Sequence, residues 1–138
     1  MANGRSAAEH FRALGHPTRL DIMQVLVAEG EACVCHLEAR LGLRQAYLSQ
    51  QLARLRQSGL VADRREGLNI YYRPASPAIR KLLEAGARLE TALGAAGAVR
   101  PPSAASAGAL QKPCFCPRCQ AARSRGAAGP AAVRARAG

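Results

Sequence analysis

Glu31–Gly59, EACVCHLEARLGLRQAYLSQQLARLRQSG, is the stretch from which the rest of the chain is read. Cys33 and Cys35 stand one residue apart at its start. Cys33–Leu41 has Val34, Leu37 and Leu41 at core spacing for a short helix, and Gly42-Leu43 turns the chain. Gln45–Gln57 then carries Leu48, Leu52 and Leu55 at i, i+4 and i+7, one buried stripe, before Gly59 closes it. A pair of thiols therefore directly precedes two helices joined by a tight turn.

Working outward, Ser6–Leu14 reads as a short amphipathic helix broken by Gly15-His16-Pro17. Pro17 suits the first turn of a second helix that runs to about Ala28 and stops at Gly30. Downstream, Leu60–Asp63 and Asn69–Arg73 read as two strands joined by the turn Arg64-Arg65-Glu66-Gly67. Pro74 and Pro77 bracket the start of a last helix, about Ser76 to Ala96. Its apolar stripe (Ile79, Leu82, Leu83, Gly86, Leu89 and Leu93) asks for a partner chain, unless it packs within its own protomer. The expected fold is mainly α with a small β-hairpin: a winged helix-turn-helix in the order α-α-α-α-β-β-α, forming a homodimer. Residues 6–97 would be the DNA-binding and dimerisation domain. Residues 98–138, rich in Ala, Gly, Pro and Ser, would be a flexible, low-complexity basic tail with a cysteine cluster at 114–119.

Composition agrees with a helical chain: 49% of residues are hydrophobic, but only 4% are aromatic, so the apolar content is mainly Ala and Leu. The formal net charge is +11. Residues 100–138 hold 7 of the 20 basic residues and no acid, so the tail carries most of that charge. A basic chain suits a polyanionic partner. No apolar run is long enough to span a membrane, and the N-terminus does not resemble a secretory signal, so a cytoplasmic location with reduced thiols is expected. Five cysteines, an odd number, fit metal or redox chemistry better than a disulfide framework.

In a helix-turn-helix the second helix reads base edges from side chains near its N-terminus. Here those are Arg44, Gln45, Ala46, Ser49 and Gln50, with Gln51 beside them. Gln bonds adenine bidentately and Arg bonds guanine. Arg54 and Arg56 are placed for phosphates, and Arg64 and Arg65 at the expected hairpin tip for backbone or an adjacent minor groove. The plainer alternative is a solvated helix face.

Four segments in order, HPTRLDIMQVL, ACVCHLEARLG, LSQQLARLRQSGLV and DRREGLNIYYR, resemble the ArsR/SmtB family of metal-responsive repressors over about residues 8–97. The resemblance implies a winged-helix homodimer whose first and last helices pack across the two-fold. It also implies repression at a pseudo-palindromic double-stranded operator, relieved when metal binds. The family often has Ser where Arg44 stands and His where Gln51 stands, so operator preference does not transfer. Cys33 and Cys35 match the Cys-Val-Cys motif of the arsenic- and cadmium/lead-sensing branches. The third Cys common in the arsenic branch is replaced by Glu38. Zinc- and nickel-sensing members place Asp and His ligands on the last helix, and residues 76–97 contain neither.

Residues i and i+2 of a helix point to nearly opposite sides, so one ion would be shared by Cys33 and Cys35 only if the first turn opened. The helix N-terminus would favour thiolate. The resemblance implies three thiolates for As(III) or Sb(III), while Cd(II), Pb(II) or Zn(II) in soft sites take three or four. Cys114, Cys116 and Cys119 are the available supply, with His36 a harder ligand. Alternatives are a separate zinc knot in the tail, a buried apolar role for the Cys33/Cys35 pair, and a thiol switch driven by oxidation or persulfidation. A further alternative is a thiol oxidoreductase using Cys116-Pro117-Arg118-Cys119, which lacks the βαβ scaffold such motifs use. The leading expectation is a repressor, not an enzyme.

Overall fold

The computed structural model describes residues 4–94 and 114–125. In chain order it contains α1 (Gly4–Leu14), α2 (Pro17–Glu29), β1 (Ala32–Cys33), α3 (Val34–Leu41), α4 (Gln45–Gln57), β2 (Val61–Glu66), β3 (Asn69–Pro74), α5 (Ala78–Gly94) and α6 (Pro117–Arg125). The helical frame with a small antiparallel wing is the expected fold, with two additions: β1 and α6. The expected boundary at 97–98, and the tail outside 114–125, lie outside the described residues.

Helix α2 is the centre of the molecule. Ile22, Met23, Val25 and Leu26 are all buried, nearly consecutive positions, so the helix is apolar on most of its circumference and packed on several sides. Pro17 occupies its first turn, and Gly30 ends it at φ 83°, donating its N–H to Leu26 O at 2.7 Å. Helices α3 and α4 pack across it: Leu37 from α3 and Leu48, Leu52 and Leu55 from α4 are fully buried with Ile22, Met23 and Leu26. Between α3 and α4 the chain turns at Gly42, whose φ of 67° is the left-handed conformation that glycine takes without steric cost. Helix α4 begins and ends where its apolar spacing predicts.

The sheet order is β1-β3-β2, all antiparallel. Strand β2 runs through Glu66, which pairs with Asn69, leaving a two-residue turn, Gly67-Leu68. Gly67 has φ 60° and, among the described residues, no non-glycine residue has positive φ, the pattern of a type II′ hairpin turn. The expected four-residue turn at Arg64–Gly67 is thereby corrected. Arg64 and Arg65 sit on the strand, opposite Tyr71 and Ile70, pointing to opposite faces rather than standing at the tip.

Segment 114–125 also departs from expectation. It is not a loose tail: Cys114 and Cys116 are buried against Cys33, Ala39 and Tyr71, and α6 follows directly. No helix among the described residues is long and apolar enough to cross a membrane.

Leu52 lies at the meeting of α2, α3 and α4 and is fully buried. Leu52→Ala is expected to destabilise the fold by about 2–5 kcal/mol, read as a lowered midpoint in chemical denaturation.

Candidate functional site

Two of the five cysteines sit where β1 hands over to α3. Cys33 ends the strand, paired with Tyr71 across the ladder, in an extended conformation (φ −84°, ψ 168°). It is also the N-cap of α3, and its Sγ accepts the His36 backbone N–H at 3.3 Å. Cys35 lies in the first helical turn. Because Cys33 is outside the helix, the rule that sends i and i+2 to opposite sides does not apply. The two sulfurs face one point with the first turn closed, so the expected helix opening is corrected.

The tail brings its own cysteines to the same point. The Sγ atoms of Cys33, Cys35, Cys114 and Cys116 all lie within 4.8 Å of one another. The Cys114 thiol donates to Cys35 Sγ at 3.3 Å. Cys114 and Cys116 are 2% and 5% exposed, although they stand in the stretch expected to be a flexible, low-complexity tail. Cys119 lies beside this group, in contact with Cys114 and Cys116, and also faces His36, with His36 Nδ1 3.0 Å from Cys119 Sγ. All five cysteines are free thiols. Thiolate ligands at about 2.3 Å from a tetrahedral ion are about 3.8 Å apart, so the four clustered sulfurs are close to the spacing that one soft ion requires.

Electrostatically the cluster is uneven. Burial pushes the Cys33 thiol up, and its hydrogen bond with Cys35 adds to this, so the helix N-terminus does not win there. Burial likewise pushes Cys35 up, to about 11, and raises Cys119. Cys116 behaves in the opposite sense. Burial opposes its ionisation, but the Cys119 backbone N–H and hydrogen bonds from Cys33, Cys119 and Cys114 outweigh it and bring the thiol down to about 7. Cys116 directly precedes Pro117, the first residue of α6, and Gln120 N–H bonds Cys116 O at 2.9 Å. The positive ends of two helices, α3 and α6, thus converge on the sulfurs.

An ion-pair network ties this cluster to the wing. Glu31, with a side chain 12% exposed, accepts from Arg64 Nε at 2.9 Å and Arg64 Nη2 at 2.5 Å, and from Arg118 of α6. The Arg64 hydrogen bond holds the Glu31 carboxyl below its usual range. Arg64 also pairs with Glu66 at 2.6 Å and lies 4.8 Å over the Tyr71 ring. On the other side of the cluster, His36 Nε2 meets Glu29, whose second oxygen is 2.8 Å from Arg40 Nε. Sequence reasoning missed Glu31 and Arg118, whose pairing spans 87 residues, and also Glu29 and Tyr71, whose nearer partners lie on other elements of the fold.

On the opposite part of α4, Arg44, Gln45, Ala46, Ser49, Gln50 and Arg54 are exposed, as is Arg65 on the wing. Arg64 is exposed but engaged with Glu31 and Glu66. Gln51 is a correction: it is 6% exposed and its Oε1 accepts from Arg19 Nη1 at 3.2 Å, so it faces inward and is not available to bases. Its position three residues after Leu48 and four before Leu55 puts it on the buried stripe.

The profile of the family described as "Bacterial regulatory protein, arsR family" matches residues 16–63. The biofilm growth-associated repressor of Agrobacterium fabrum is 46% identical over 75 residues, 54% of this chain and 63% of that protein. The arsenical resistance operon repressor of Escherichia coli is 44% identical over 63 residues, 46% of this chain and 54% of that one. The chain thus spans little more than half to under two thirds of these two relatives. The crystal structure of Mycobacterium tuberculosis Rv0081 is 35% identical and superposes with a TM-score of 0.61 over 68% of this chain and 96% of that one. These relatives are transcriptional regulators, and their shared sequence covers the helix-turn-helix and the start of the wing. The chain belongs to the ArsR/SmtB family of winged-helix transcriptional regulators.

Proposed function

We propose that this protein is a cytoplasmic repressor that binds operator DNA as a homodimer and releases it when a thiophilic ion, As(III) or Sb(III) before Cd(II) or Pb(II), is held by Cys33, Cys35, Cys114 and Cys116. The observation that carries the reading is the meeting of four sulfurs from two distant parts of one chain, all within 4.8 Å, at a site bordering the wing. When bound, such an ion supplies three or four bonds to sulfur. Three suffice for As(III), so Glu38 in place of a local third thiol is no obstacle once Cys114 and Cys116 are at hand.

The remaining steps belong to side chains. Cys114 and Cys116 fix the start of α6 beside β1 and β3. Arg118, two residues further on, then shares Glu31 with Arg64 of the wing. Occupation of the thiols favours the state in which Arg64 is turned toward Glu31, and DNA favours the state in which the wing's cations face phosphate. Two ligands with opposite preferences for one element are the minimum that allosteric release requires. Reading falls to the exposed N-terminal end of α4, through Arg44, Gln45, Ala46, Ser49 and Gln50, with Arg54 and Arg65 on phosphates.

Dimerisation is supported by the apolar surface between α1, α2 and α5. Phe11, Leu89 and Leu93 are 60%, 58% and 70% exposed, and a groove of about 340 Å³ is lined by Phe11, Leu14, Leu20, Gln24, Leu82 and Leu83. Among the described residues, Gln24 Oε1 is buried there without a hydrogen-bond partner. A second copy would cover the leucines and bring the two reading helices to the two half-sites of a palindrome.

A second reading, oxidative release through the same thiols, is favoured by the Cys116 thiol lying near 7 beside three other thiols. Peroxide releasing DNA from metal-free protein as fully as As(III) does would replace the metal reading with this one.

Three outcomes are expected. Cys33→Ser with Cys35→Ser should bind operator DNA as the wild type does but retain it on addition of As(III), measured by fluorescence anisotropy; wild-type release would misplace the site. Glu31→Gln should keep ion affinity yet shrink the ion-dependent loss of DNA affinity, from a typical coupling of about 5–150-fold toward none. Leu89→Glu with Leu93→Glu should sediment as a monomer and lose at least about 100-fold in operator affinity, because a single half-site contact remains.

A further inference from the structure

Beside the four clustered sulfurs lies a second group of ligand atoms. His36 Nδ1, Cys119 Sγ and Cys114 Sγ all lie within 4.8 Å of one another. His36 and Cys119 occupy corresponding places: each is three residues after the cysteine that starts its helix, Cys33 for α3 and Cys116 for α6. The imidazole is already oriented. Its Nε2 faces the Glu29 carboxylate and its Nδ1 faces Cys119 Sγ at 3.0 Å, so in the tautomer with the proton on Nε2 the Nδ1 lone pair is the one offered to the thiols. Glu29 is fixed in turn by Arg40 at 2.8 Å, with Arg40 9% exposed. A carboxylate behind an imidazole whose other nitrogen faces thiols is the arrangement that sets tautomer and orientation in metal-binding histidines. A cavity of about 160 Å³ adjoins this group, lined by His36 and Cys119 of it together with Cys33 and Cys116.

We propose that His36, Cys114 and Cys119 form a second cation site, for a borderline divalent ion of the Zn(II) class, distinct from the inducer site and fastening α6 to α3. This rests on the function proposed above, with the inducer site narrowed to Cys33, Cys35 and Cys116, because Cys114 belongs to both groups of ligand atoms and is assigned here to the second ion. One imidazole with two thiolates is a donor set that Zn(II) accepts and that As(III), which prefers sulfur throughout, does not favour. Charge allocation supports the division. Two thiolates neutralise a divalent ion, and Cys33, Cys35 and Cys116 neutralise a trivalent one, so each of the five cysteines is used once. Loading is a ligand exchange without redox change: two Zn–S bonds and one Zn–N bond replace three bonds from the ion to water, the two thiol protons of Cys114 and Cys119 leave to solvent, and His36 binds through Nδ1 in its Nε2–H tautomer. Fastened in this way, α6 would be held at the domain before any inducer arrives, with Cys116 presented beside Cys33 and Cys35.

The test is a Zn(II) titration of the reduced, full-length, metal-free chain against a chromogenic chelator, alone and after saturation with As(III). One Zn(II) per chain is expected to bind in the presence of As(III). Glu29→Gln should weaken Zn(II) by about 10-fold or more, as loss of an outer carboxylate does, with As(III) affinity unchanged. His36→Ala should weaken it further. In a nitrogen-detected NMR spectrum, the Nδ1 resonance of His36 should shift on Zn(II) addition while those of His10 and His16 stay in place, a readout independent of any loss of folding in the variants. Stoichiometric displacement of Zn(II) by As(III), or wild-type Zn(II) affinity in His36→Ala, would overturn the second site. So would loss of Zn(II) binding in Cys33→Ser with Cys35→Ser. Retained As(III) binding in that same double variant would overturn the inducer site alone.

Discussion

The arrangement depends on where the first cysteine stops being strand. Cys33 is extended and paired with Tyr71, and Val34 is already helical. That one-residue change of backbone state turns two side chains that a continuous helix would hold apart toward a common point. Everything attached to the thiols inherits its position from this junction: Tyr71 beneath them, His36 three residues on, and the tail that closes over them. The junction is itself held from two sides, by the β1–β3 ladder and by the sulfur that caps α3. A side chain with one acceptor therefore serves two roles, helix cap and candidate ligand.

Much of the frame was legible because it is locally encoded. Helix α4 follows from Leu48, Leu52 and Leu55, and the end of α2 from Gly30. The same stripe carried the signal for the burial of Gln51, which polarity alone concealed. The wing turn was misplaced because Arg-Arg-Glu-Gly has the polarity of a loop, whereas the ladder pairs Glu66 with Asn69 and needs only Gly67-Leu68 to reverse. Strand β1, two residues long, is too short to show a period. The docking of 114–125 was not legible from pattern at all. Low-complexity flanks predict disorder, and the contacts that overrule it join residues 79 to 87 positions apart.

The charged groups around the thiols divide into two sets. On one side, Glu31 gathers Arg64 and Arg118, joining the wing to α6. On the other, Glu29 joins His36 to Arg40, within the helical core. The first set joins the wing to α6, and the second joins α2 to α3, which pack together in the core. In the proposed mechanism, communication with DNA therefore falls to Glu31, and the bracing of α2 against α3 to Glu29. Solvent-exposed ion pairs contribute little to stability as a rule, so the significance of the Glu31 set lies in which partner Arg64 faces rather than in holding the fold together.

The 79-residue separation of Cys35 and Cys114 has a topological meaning. Helix α4, both strands of the wing and α5 all lie between them. A bond network through those two sulfurs closes a ring that carries every element proposed to meet DNA, together with α5 of the proposed dimer surface. Cross-linking a loop of that size removes chain entropy worth about 4–5 kcal/mol from the unfolded ensemble. Under the proposed function, induction then has a second face: a ligand that lowers the protein's hold on its operator would also make the chain that leaves it harder to unfold.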